Sequence, residues 1–281
     1  MKAWVTGAGG LIGNYLVQTA REFAPGWEVR GLTRDQLDLT DFAAVARAFR
    51  ADAPSLVIHC AALSKSPACQ ADPSLARLLN VEVTTCLAEL AADIPLIFFS
   101  TDLVFDGRKG GYTETDAPHP LSVYAETKVA AEAVVLRNPR HAVVRTSLNG
   151  GVSPTGDRGF NEEMRRMFRA GQELNLFTDE FRSPLPALVT ARAVWELSAQ
   201  KVCGIYHLAG REKMSRWEIG CLIAARCPEL QPRLRAGSLQ EYRGAPRAPD
   251  TTLDCTKAQQ QLSFPLPGLA GWLSENPAAA F

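Results

Sequence analysis

Three side chains in the middle of the chain are suited to proton transfer: the hydroxyl of Thr101, the phenol of Tyr124 and the amine of Lys128. Tyr124 and Lys128 are four residues apart, so they share one face if this segment is helical. A free tyrosine has a pKa of about 10, and its use as an acid or base at neutral pH needs a shift of about 3 units. A nearby ammonium group shifts a phenol in that direction, because it favours the phenolate. Since Tyr-x-x-x-Lys is also common as a surface pair, the meaning of this trio depends on the elements around it.

Apolar runs alternate with amphipathic segments through the first half of the chain. We predict strands at residues 2–6, 28–33, 56–61, 96–100 and 142–146, and helices at 11–23, 42–49, 74–92 and 122–136. Strands that alternate with helices indicate crossover units, and therefore an α/β fold with a doubly wound parallel sheet. Thr101 follows the fourth strand, and ligands of such sheets bind beyond the carboxyl ends of the strands. The helix at 122–136 would bring Tyr124 and Lys128 to the same crevice.

The pattern becomes less regular after residue 150. We predict helices at 160–169, 187–200, 216–226 and 256–262, and one further strand at 204–208. That strand and the helix before it continue the sheet, so residues 1–150 and 186–209 are predicted to form the main domain. Residues 151–185 and 210–281 are predicted to form a smaller lobe, and residues 277–281 are expected to be frayed.

A glycine-rich loop, Gly7-Ala8-Gly9-Gly10-Leu11-Ile12-Gly13, lies between the first predicted strand and the first predicted helix. Glycines there let the backbone turn sharply and let a pyrophosphate approach the amides at the helix N-terminus, where the helix dipole favours negative charge. An ordinary glycine-rich turn is the alternative, but the strand–loop–helix context favours dinucleotide binding. We therefore predict a cofactor site that contains Gly7, Gly10, Leu11, Ile12 and Gly13. A bound nicotinamide cation would also favour the phenolate of Tyr124.

The end of the second predicted strand bears on the choice of cofactor. An acidic residue roughly 20 residues after the glycine loop would hold the adenosine ribose of NAD, but this chain has Arg34 there. An arginine can pair with a 2′-phosphate as a charged fork, which favours NADP(H) and leaves NAD(H) open. A solvated surface arginine is a nearly equal alternative. Asp38 and Leu39 follow, and an aspartate at this place could bond the adenine amino group.

The composition indicates a globular protein that binds small molecules or other proteins. The chain has 281 residues, 46% of them hydrophobic, and 30 basic residues balance 30 acidic ones. A nucleic-acid-binding protein would show a basic excess, and no apolar run approaches the ~20 residues of a membrane helix. The 7 cysteines are scattered without a C-x-x-C pair, so we expect neither a disulfide framework nor a metal site. Because the start of the chain lacks the pattern of a signal peptide, we expect a cytoplasmic protein. The sequence leaves open whether it forms a homodimer.

Several segments carry a family resemblance: GAGGLIG, LDLTD, HCAA at 59–62, STDLVFDG at 100–107, YAETK, GIYHLAG at 204–210 and RAPDTTLD at 247–254. Through them the chain resembles the extended short-chain dehydrogenases/reductases over nearly its whole length, and most closely their dTDP-4-dehydrorhamnose reductase group. The resemblance implies a Rossmann domain with a smaller substrate-binding lobe. It also implies that Thr101, Tyr124 and Lys128 form the catalytic trio.

The reaction implied by the resemblance is hydride transfer from a nicotinamide to a keto carbon of a nucleotide-linked 4-keto-6-deoxysugar. Tyr124 would donate the proton and Lys128 would hold the ribose of the cofactor. Cys60, Ala61 and Ala62, at the end of the third predicted strand, would line the cofactor. The cofactor itself carries the hydride chemistry.

The chain departs from this group on the substrate side. Leu103 stands where the group has tyrosine, and Arg182 stands where it has glycine. These departures leave the exact sugar open. Asp102 could orient a substrate hydroxyl, and Arg182 and Arg247 could bind a diphosphate through paired hydrogen bonds. Either arginine could equally form a salt bridge between the lobes.

Two other functions remain open. Nucleotide-sugar epimerases and 4,6-dehydratases are related enzymes that keep a tightly bound NAD and recycle its hydride. The dehydratases carry a glutamate after the Thr-Asp pair, and Leu103 occupies that place here. The regulatory subunit of methionine adenosyltransferase also resembles the reductases and binds NADP, yet it serves as a partner protein. An intact trio favours catalysis, although fold and cofactor alone do not determine function.

Overall fold

The protein is described by a computed structural model that covers residues 1–279 and 281. The first half forms, in chain order, β1 (Lys2–Thr6), α1 (Leu11–Phe23), β2 (Glu28–Leu32), α2 (Phe42–Asp52), β3 (Leu56–His59), α3 (Ser66–Ala71), α4 (Pro73–Arg77), α5 (Val83–Leu90), β4 (Leu96–Thr101), α6 (Val123–Val135) and β5 (Ala142–Thr146). The second half forms β6 (Asn149–Gly150), α7 (Phe160–Arg169), β7 (Glu173–Phe177), β8 (Phe181–Arg182), β9 (Leu185–Pro186), α8 (Ala187–Ala199), β10 (Gly204–Leu208), β11 (Met214–Ser215), α9 (Arg216–Ala225), β12 (Arg233–Gly237), α10 (Thr256–Gln259) and α11 (Leu269–Glu275).

Six parallel strands form the central sheet in the order β10-β5-β4-β3-β1-β2, which confirms the predicted α/β fold with a doubly wound sheet. The central strands are buried almost throughout, because helices cover both faces. Helices α1 and α8 pack on one face, and α2, α5 and α6 pack on the other. Since β1 lies between β2 and β3, the winding reverses there, and a crevice opens at the carboxyl ends of β1 and β3.

The helix predicted at 74–92 is interrupted. It consists of α4, a π-helical turn at Leu78–Glu82, and α5. Asn80 lies in this turn, and its carboxamide binds the backbone of Leu63 through both ends: Oδ1 accepts from the N–H at 2.8 Å and Nδ2 donates to the carbonyl at 3.1 Å. The widened turn thus directs the Asn80 side chain to the loop after β3. Such turns occur frequently at functional sites.

Smaller differences from the predicted boundaries have local causes. Strand β3 ends at His59 instead of residue 61, and β4 continues through Thr101. Helix α10 ends at Gln259 instead of residue 262, because the Gln259 side chain binds the backbone of the following loop. Its amide donates to the carbonyl of Phe264 at 2.8 Å, and its oxygen accepts from the N–H of Leu266 at 2.7 Å.

Three two-stranded pairs lie outside the central sheet: β6 with β9, β8 with β11, and β7 with β12. The apolar side chains of β7 and β12 pack with α7, α9 and α11 in a hydrophobic core of their own. Sequence analysis did not predict β7, β12 or α11, because such short elements depend on tertiary packing for stability. The separate core agrees with a division into residues 1–150 with 186–209 and residues 151–185 with 210–281, which remains a prediction.

The last residue is packed, although the end of the chain was expected to be frayed. The Phe281 ring is buried, and its centroid lies 6.0 Å from that of Phe160 and 6.1 Å from that of Trp272. Arg165 donates a hydrogen bond to the Phe281 carbonyl at 3.0 Å. Ala280 lies outside the described residues.

Candidate active site

The glycine loop connects β1 to α1 at the switch point of the sheet. Gly7 has a φ of +70°, a left-handed conformation that glycine adopts without strain. A Cβ atom on Gly7 would lie 2.7 Å from the backbone nitrogen of Ala61, and one on Gly13 would collide with the Gly7 carbonyl. Gly10 is the N-cap of α1, and the first turn of this helix contains no acidic residue. The first amides of α1 therefore face no competing carboxylate and can bind an anion.

Arg34 and Asp38 lie in the loop after β2, at the edge of the sheet. Arg34 is exposed. The Asp38 carboxylate accepts hydrogen bonds from the Thr40 backbone N–H at 2.9 Å and from the Thr40 hydroxyl at 2.7 Å. These bonds, together with the weaker effect of the Arg34 charge, hold the pKa of Asp38 below its usual range. Leu39 packs into the core beside α2.

The segment after β3 lies beside the glycine loop. Cys60, Ala61 and Ala62 are each partly exposed, and a Cβ atom on Gly7 would meet the backbone of Ala61 and Cys60. The Ala61 N–H also donates to the Thr6 hydroxyl at 3.4 Å. The structure therefore places the predicted cofactor residues that follow β1 and β3 side by side at the carboxyl end of the sheet.

The predicted trio comes together at the carboxyl end of β4. Thr101 ends this strand, and Tyr124 and Lys128 lie on one face of α6. Ser122 caps α6 by accepting a hydrogen bond from the Ala125 N–H at 3.3 Å. Thr101 and Tyr124 are each 8% exposed, and Lys128 is 2% exposed. The arrangement therefore offers a hydroxyl, a phenol and an amine with little competing water.

The pKa of the Tyr124 phenol moves in the opposite direction from the one predicted. Burial raises this pKa, and the charge of Asp102 raises it further, whereas a hydrogen bond with Thr101 acts to lower it. Leu103 and Cys69 pack with Tyr124 in a small apolar cluster. In the protein alone, desolvation and the Asp102 charge thus outweigh the hydrogen bond with Thr101. The phenol stays protonated at neutral pH, as a proton donor must.

Lys128 is the buried cation of the trio. Burial lowers the pKa of Lys128 to about 7, although Glu132, one turn further along α6, acts to raise it. The Nζ atom lies 3.9 Å from the centroid of the Phe98 ring, and a ring face attracts a cation. The amine is therefore balanced between its charged and neutral forms near neutral pH.

Asp102 was predicted to contact the substrate, but its carboxylate instead accepts hydrogen bonds from hydroxyl groups of the protein. Its Oδ2 atom accepts hydrogen bonds from the hydroxyls of Ser147 at 2.6 Å and Thr251 at 2.9 Å. Its Oδ1 atom accepts one from Thr101 at 3.2 Å. Because the residue is buried and has these partners, it joins β4 to two distant segments of the chain. It does not present a free carboxylate to the crevice.

Arg182 forms a buried salt bridge within the protein. A salt bridge was the second of its two predicted roles, after diphosphate binding. Its guanidinium donates to the carbonyl of Ala248 at 3.1 Å and to Oε1 of Glu180 at 2.9 Å. Its Nε atom lies 3.8 Å from Oδ2 of Asp102. The residue is 5% exposed, so its charge is neutralised by protein carboxylates instead of by a diphosphate.

Arg247 pairs with the same glutamate from the solvent side. Its Nε and Nη2 atoms donate to Glu180 at 2.7 and 2.9 Å, and its side chain is 36% exposed. Burial alone would raise the pKa of Glu180, but the hydrogen bond from Arg247 and the charges of Arg182, Arg247 and Arg216 hold it below its usual range. Three guanidinium groups near two carboxylates, those of Glu180 and Asp102, leave an excess of positive charge here.

Sequence analysis missed three buried polar residues that support the site: Asn80, Glu132 and Arg145. Each left a signal in the sequence. Asparagine is a poor helix former, yet Asn80 lies inside a predicted helix. Glu132 follows Lys128 at helical spacing on the same face, and Arg145 interrupts an apolar strand. Glu132 and Arg145 form a buried ion pair of 2.7 Å.

The described part of the chain contains neither a cluster suited to a metal ion nor a membrane-spanning helix. Across residues 1–279 and 281, no group of three or more His, Cys, Asp or Glu side chains is arranged to hold a metal ion. Within the same residues, no helix combines the length and the apolar character needed to cross a membrane.

A Rossmann sheet with a glycine loop at its switch point, and a buried tyrosine–lysine pair beyond its fourth strand, places the chain among the extended short-chain dehydrogenases/reductases. The family model described as RmlD substrate binding domain matches residues 1–275, and the chain belongs to this family. The predicted family resemblance is thereby confirmed.

Three relatives show how function varies around this chain. The dTDP-4-dehydrorhamnose reductase of Sinorhizobium fredii is 31% identical over 282 residues, which cover 95% of this chain and 93% of the relative. Methionine adenosyltransferase 2 subunit beta of Xenopus laevis is 31% identical over 275 residues, which cover 92% of this chain and 82% of the relative. The structure of a Bacillus anthracis dTDP-4-dehydrorhamnose reductase in complex with NADP superposes with a TM-score of 0.88 at 23% identity, covering 98% and 97% of the two chains. This last likeness shows the fold.

Proposed function

We propose that this protein is an NAD(P)H-dependent reductase of a nucleotide-linked 4-keto-6-deoxysugar. The observation that carries the proposal is the convergence of Thr101, Tyr124 and Lys128 on the crevice whose opposite end is formed by the glycine loop. The reductase of Sinorhizobium fredii, a relative of nearly the same length, supports the reaction class. NADP(H) is the favoured cofactor and NAD(H) the alternative.

The residues of the trio have distinct tasks in this reaction. When bound, the reduced nicotinamide supplies a hydride to the keto carbon. Tyr124 donates its phenolic proton to the ketone oxygen, which becomes the hydroxyl of the product. Thr101 holds this oxygen by a hydrogen bond, and the Lys128 ammonium binds the cofactor ribose and stabilises the phenolate that remains.

The cofactor occupies the crevice along the carboxyl ends of β1, β2 and β3. The amides that follow Gly10 at the start of α1, those of Leu11, Ile12 and Gly13, bind the pyrophosphate. Arg34 pairs with a 2′-phosphate, and the NADP complex of the Bacillus anthracis protein of the same fold agrees with this preference. Asp38 and Leu39 would hold the adenine, and the segment Cys60-Ala61-Ala62 would line the cofactor.

The substrate binds on the side of the smaller lobe. Arg182, Arg216 and Arg247 together carry more positive charge than the carboxylates of Glu180 and Asp102 neutralise, and Arg247 is partly exposed. Arg216 and Arg247 bind the diphosphate of the nucleotide sugar, and the buried Arg182 holds Glu180 in place. Leu103, which packs against Tyr124, forms an apolar wall beside the reacting carbon.

A second candidate function is that of a non-catalytic NADP-binding partner protein. The similarity to methionine adenosyltransferase 2 subunit beta, over 92% of this chain, favours it. A third candidate function is that of an epimerase or dehydratase with a permanently bound NAD. Leu103 stands where the dehydratases carry a glutamate, which argues against a dehydratase.

The decisive experiment is a screen of nucleotide-linked 4-keto sugars with NADPH and with NADH. We expect oxidation of NADPH with a 4-keto-6-deoxysugar, and a loss of about 10²–10⁴-fold in turnover for Tyr124→Phe at unchanged NADPH affinity. Tyr206→Phe, at another buried tyrosine, is the matched control and should keep its activity. NADPH binding without any oxidation would favour the partner-protein function, and a tightly bound NAD in the purified protein would contradict the reductase.

A further inference from the structure

Three partly exposed apolar side chains lie beside the phenol of Tyr124. Leu63 follows β3, Leu103 follows β4 and Val123 begins α6. All three pack against the small hydrophobic cluster that contains Tyr124. Because these segments meet at the carboxyl end of the sheet, the three side chains form an apolar border of the crevice in which Tyr124 donates its proton.

The backbone groups of this border are largely paired within the protein. The Leu63 N–H donates to Oδ1 of Asn80 at 2.8 Å, and the Leu63 carbonyl accepts from Nδ2 of Asn80 and from the Cys69 thiol, each at 3.1 Å. The Leu103 N–H donates to the Thr101 hydroxyl at 3.2 Å. A substrate group that lies against Leu63 and Leu103 therefore meets hydrocarbon, and neither backbone N–H is free to bind it.

The other side of Thr101 is polar. The sheet order β5-β4-β3 puts the segment after β5 on one side of Thr101 and the segment with Leu63 on the other. Ser147 follows β5 and is partly exposed. Its hydroxyl donates to Oδ2 of Asp102 at 2.6 Å and accepts from the Ser183 N–H at 3.3 Å. The crevice thus has an apolar side and a polar side around the place of the reacting oxygen.

A 4-keto-6-deoxysugar has the same asymmetry around its ketone. C3, one neighbour of the carbonyl carbon C4, carries a hydroxyl, and a buried hydroxyl needs a hydrogen-bond partner. C5, the other neighbour, carries the C6 methyl group, which is stabilised when it leaves water. With the ketone oxygen held between Thr101 and Tyr124, the apolar side of the crevice suits the methyl group and the polar side suits the C3 hydroxyl.

We propose that Leu63, Leu103 and Val123 form the contact surface for the C6 methyl group and select 6-deoxysugars over sugars with a hydroxyl on C6. This inference rests on the proposed function, which places the ketone at Tyr124. A hydroxyl on C6 would be buried against hydrocarbon without a partner, which lowers affinity. Two opposing possibilities are that the three side chains only cover Tyr124, or that they contact the nicotinamide.

The test compares two nucleotide sugars that differ only in the C6 hydroxyl, dTDP-L-rhamnose and dTDP-L-mannose, on the NADPH-loaded protein. Both are alcohols at C4, so neither can be reduced and titration calorimetry measures binding alone. We expect dTDP-L-rhamnose to bind about 10–100-fold more tightly. Leu103→Asn, similar in shape, gives the hydroxyl a partner and should bring the two affinities to within about threefold of each other. Leu103→Met keeps the border apolar and should keep the preference.

Leu136→Asn, at an exposed leucine beyond the far end of α6, is the matched control and should leave the preference unchanged. Val123→Thr adds a hydroxyl to the same border and replaces Leu103→Asn if that variant does not fold. Equal affinities for the two sugars in the unmodified protein overturn the inference, as does a full preference in the folded variant. A variant that changes NADPH affinity but not the preference also overturns it, because the border would then contact the nicotinamide.

The binding test does not depend on turnover. A protein that oxidises NADPH with a ketone but binds both sugars equally would contradict the inference alone. A preference for dTDP-L-rhamnose without oxidation of NADPH by any ketone would contradict the reductase and support the methyl contact. Failure to bind either sugar would contradict both.

Discussion

The carboxamide of Asn80 holds the backbone of Leu63 at both of its polar atoms, accepting from the N–H at 2.8 Å and donating to the carbonyl at 3.1 Å. The same Nδ2 atom donates to the Thr127 hydroxyl at 3.0 Å, and that hydroxyl donates to the carbonyl of Tyr124 at 2.7 Å. Asn80 therefore joins the wall of the cofactor crevice to the helix that carries the candidate proton donor. The π-helical turn gives this side chain its direction.

Replacement of Asn80 by alanine should loosen both of these segments. The variant leaves the Leu63 N–H without its acceptor and removes one hydrogen bond from both the Leu63 carbonyl and the Thr127 hydroxyl, so we expect the free energy of unfolding to fall by about 1–3 kcal/mol. NADPH should also bind more weakly, because the segment Cys60-Ala61-Ala62 precedes the released backbone. Chemical denaturation and fluorescence titration with NADPH measure the two effects. Asn80→Asp keeps the acceptor but loses the donor, and it should show an intermediate affinity. An unchanged NADPH affinity in both variants would contradict the link.

Gly7 of the cofactor loop should not tolerate a side chain. Alanine there would adopt the left-handed conformation at a cost of about 1–2 kcal/mol, and its Cβ would meet the backbone of Ala61 at 2.7 Å. We expect Gly7→Ala to lower the unfolding temperature and to weaken dinucleotide binding. Gly26→Ala is the matched control, since it has no neighbour within 4 Å and lies away from the crevice. Equal thermal stability of the two variants would show that the loop tolerates a side chain.

Arg34 should distinguish the two dinucleotides. Its loss removes charged hydrogen bonds to a 2′-phosphate, each worth about 1.5–3 kcal/mol, so Arg34→Ala should weaken NADPH binding by about 10–100-fold. NADH lacks this phosphate and provides the internal control, because its affinity should not change. Isothermal titration with each dinucleotide measures the difference. Parallel losses for NADPH and NADH would mean that Arg34 acts through the fold of the loop.

Sequence patterns were sufficient to predict those parts of the fold and site whose deciding contacts are local in the sequence or recur with the period of a helix or strand. The apolar strands, the glycine loop and the spacing of Tyr124 and Lys128 placed the trio at the crevice of a parallel sheet. They could not predict the break in the helix at 74–92, because the partner of Asn80 is Leu63 on another segment. The same limit applies to the Tyr124 pKa, whose direction depends on burial by residues distant in the sequence.

The two roles left open for Arg182 show where sequence reasoning stops. The sequence predicts that Arg182 and Arg247 lie on the substrate side. It does not show which of the two side chains is buried beneath Glu180 and which is exposed. The structure places Arg182 beneath this carboxylate, 5% exposed, and Arg247 above it, with a side chain 36% exposed. That difference predicts different consequences for the same substitution.

Arg182→Met should destabilise the protein far more than Arg247→Met. Removing Arg182 takes the buried guanidinium away from both Glu180 and Asp102, at a cost of about 3–5 kcal/mol, whereas the partly exposed Arg247 is partly screened by water and its loss should cost less. Arg247→Met should instead raise the KM for a nucleotide sugar. Urea denaturation and steady-state kinetics measure the two effects. Equal losses of stability would contradict the buried bridge.

The stabilisation of the fold by the ion pairs of Glu180 should decrease at acidic pH. The pKa of Glu180 is lowered in the folded protein, so its ion pairs stabilise the fold above the unfolded glutamate pKa of about 4.3. This contribution is lost as the pH falls through the lower folded-state pKa. The unmodified protein should therefore lose more of its free energy of unfolding below about pH 4.3 than Arg182→Met does, since the variant has less of this stabilisation to lose. Identical slopes for the two proteins in urea denaturation at falling pH would exclude Glu180 as the titrating group.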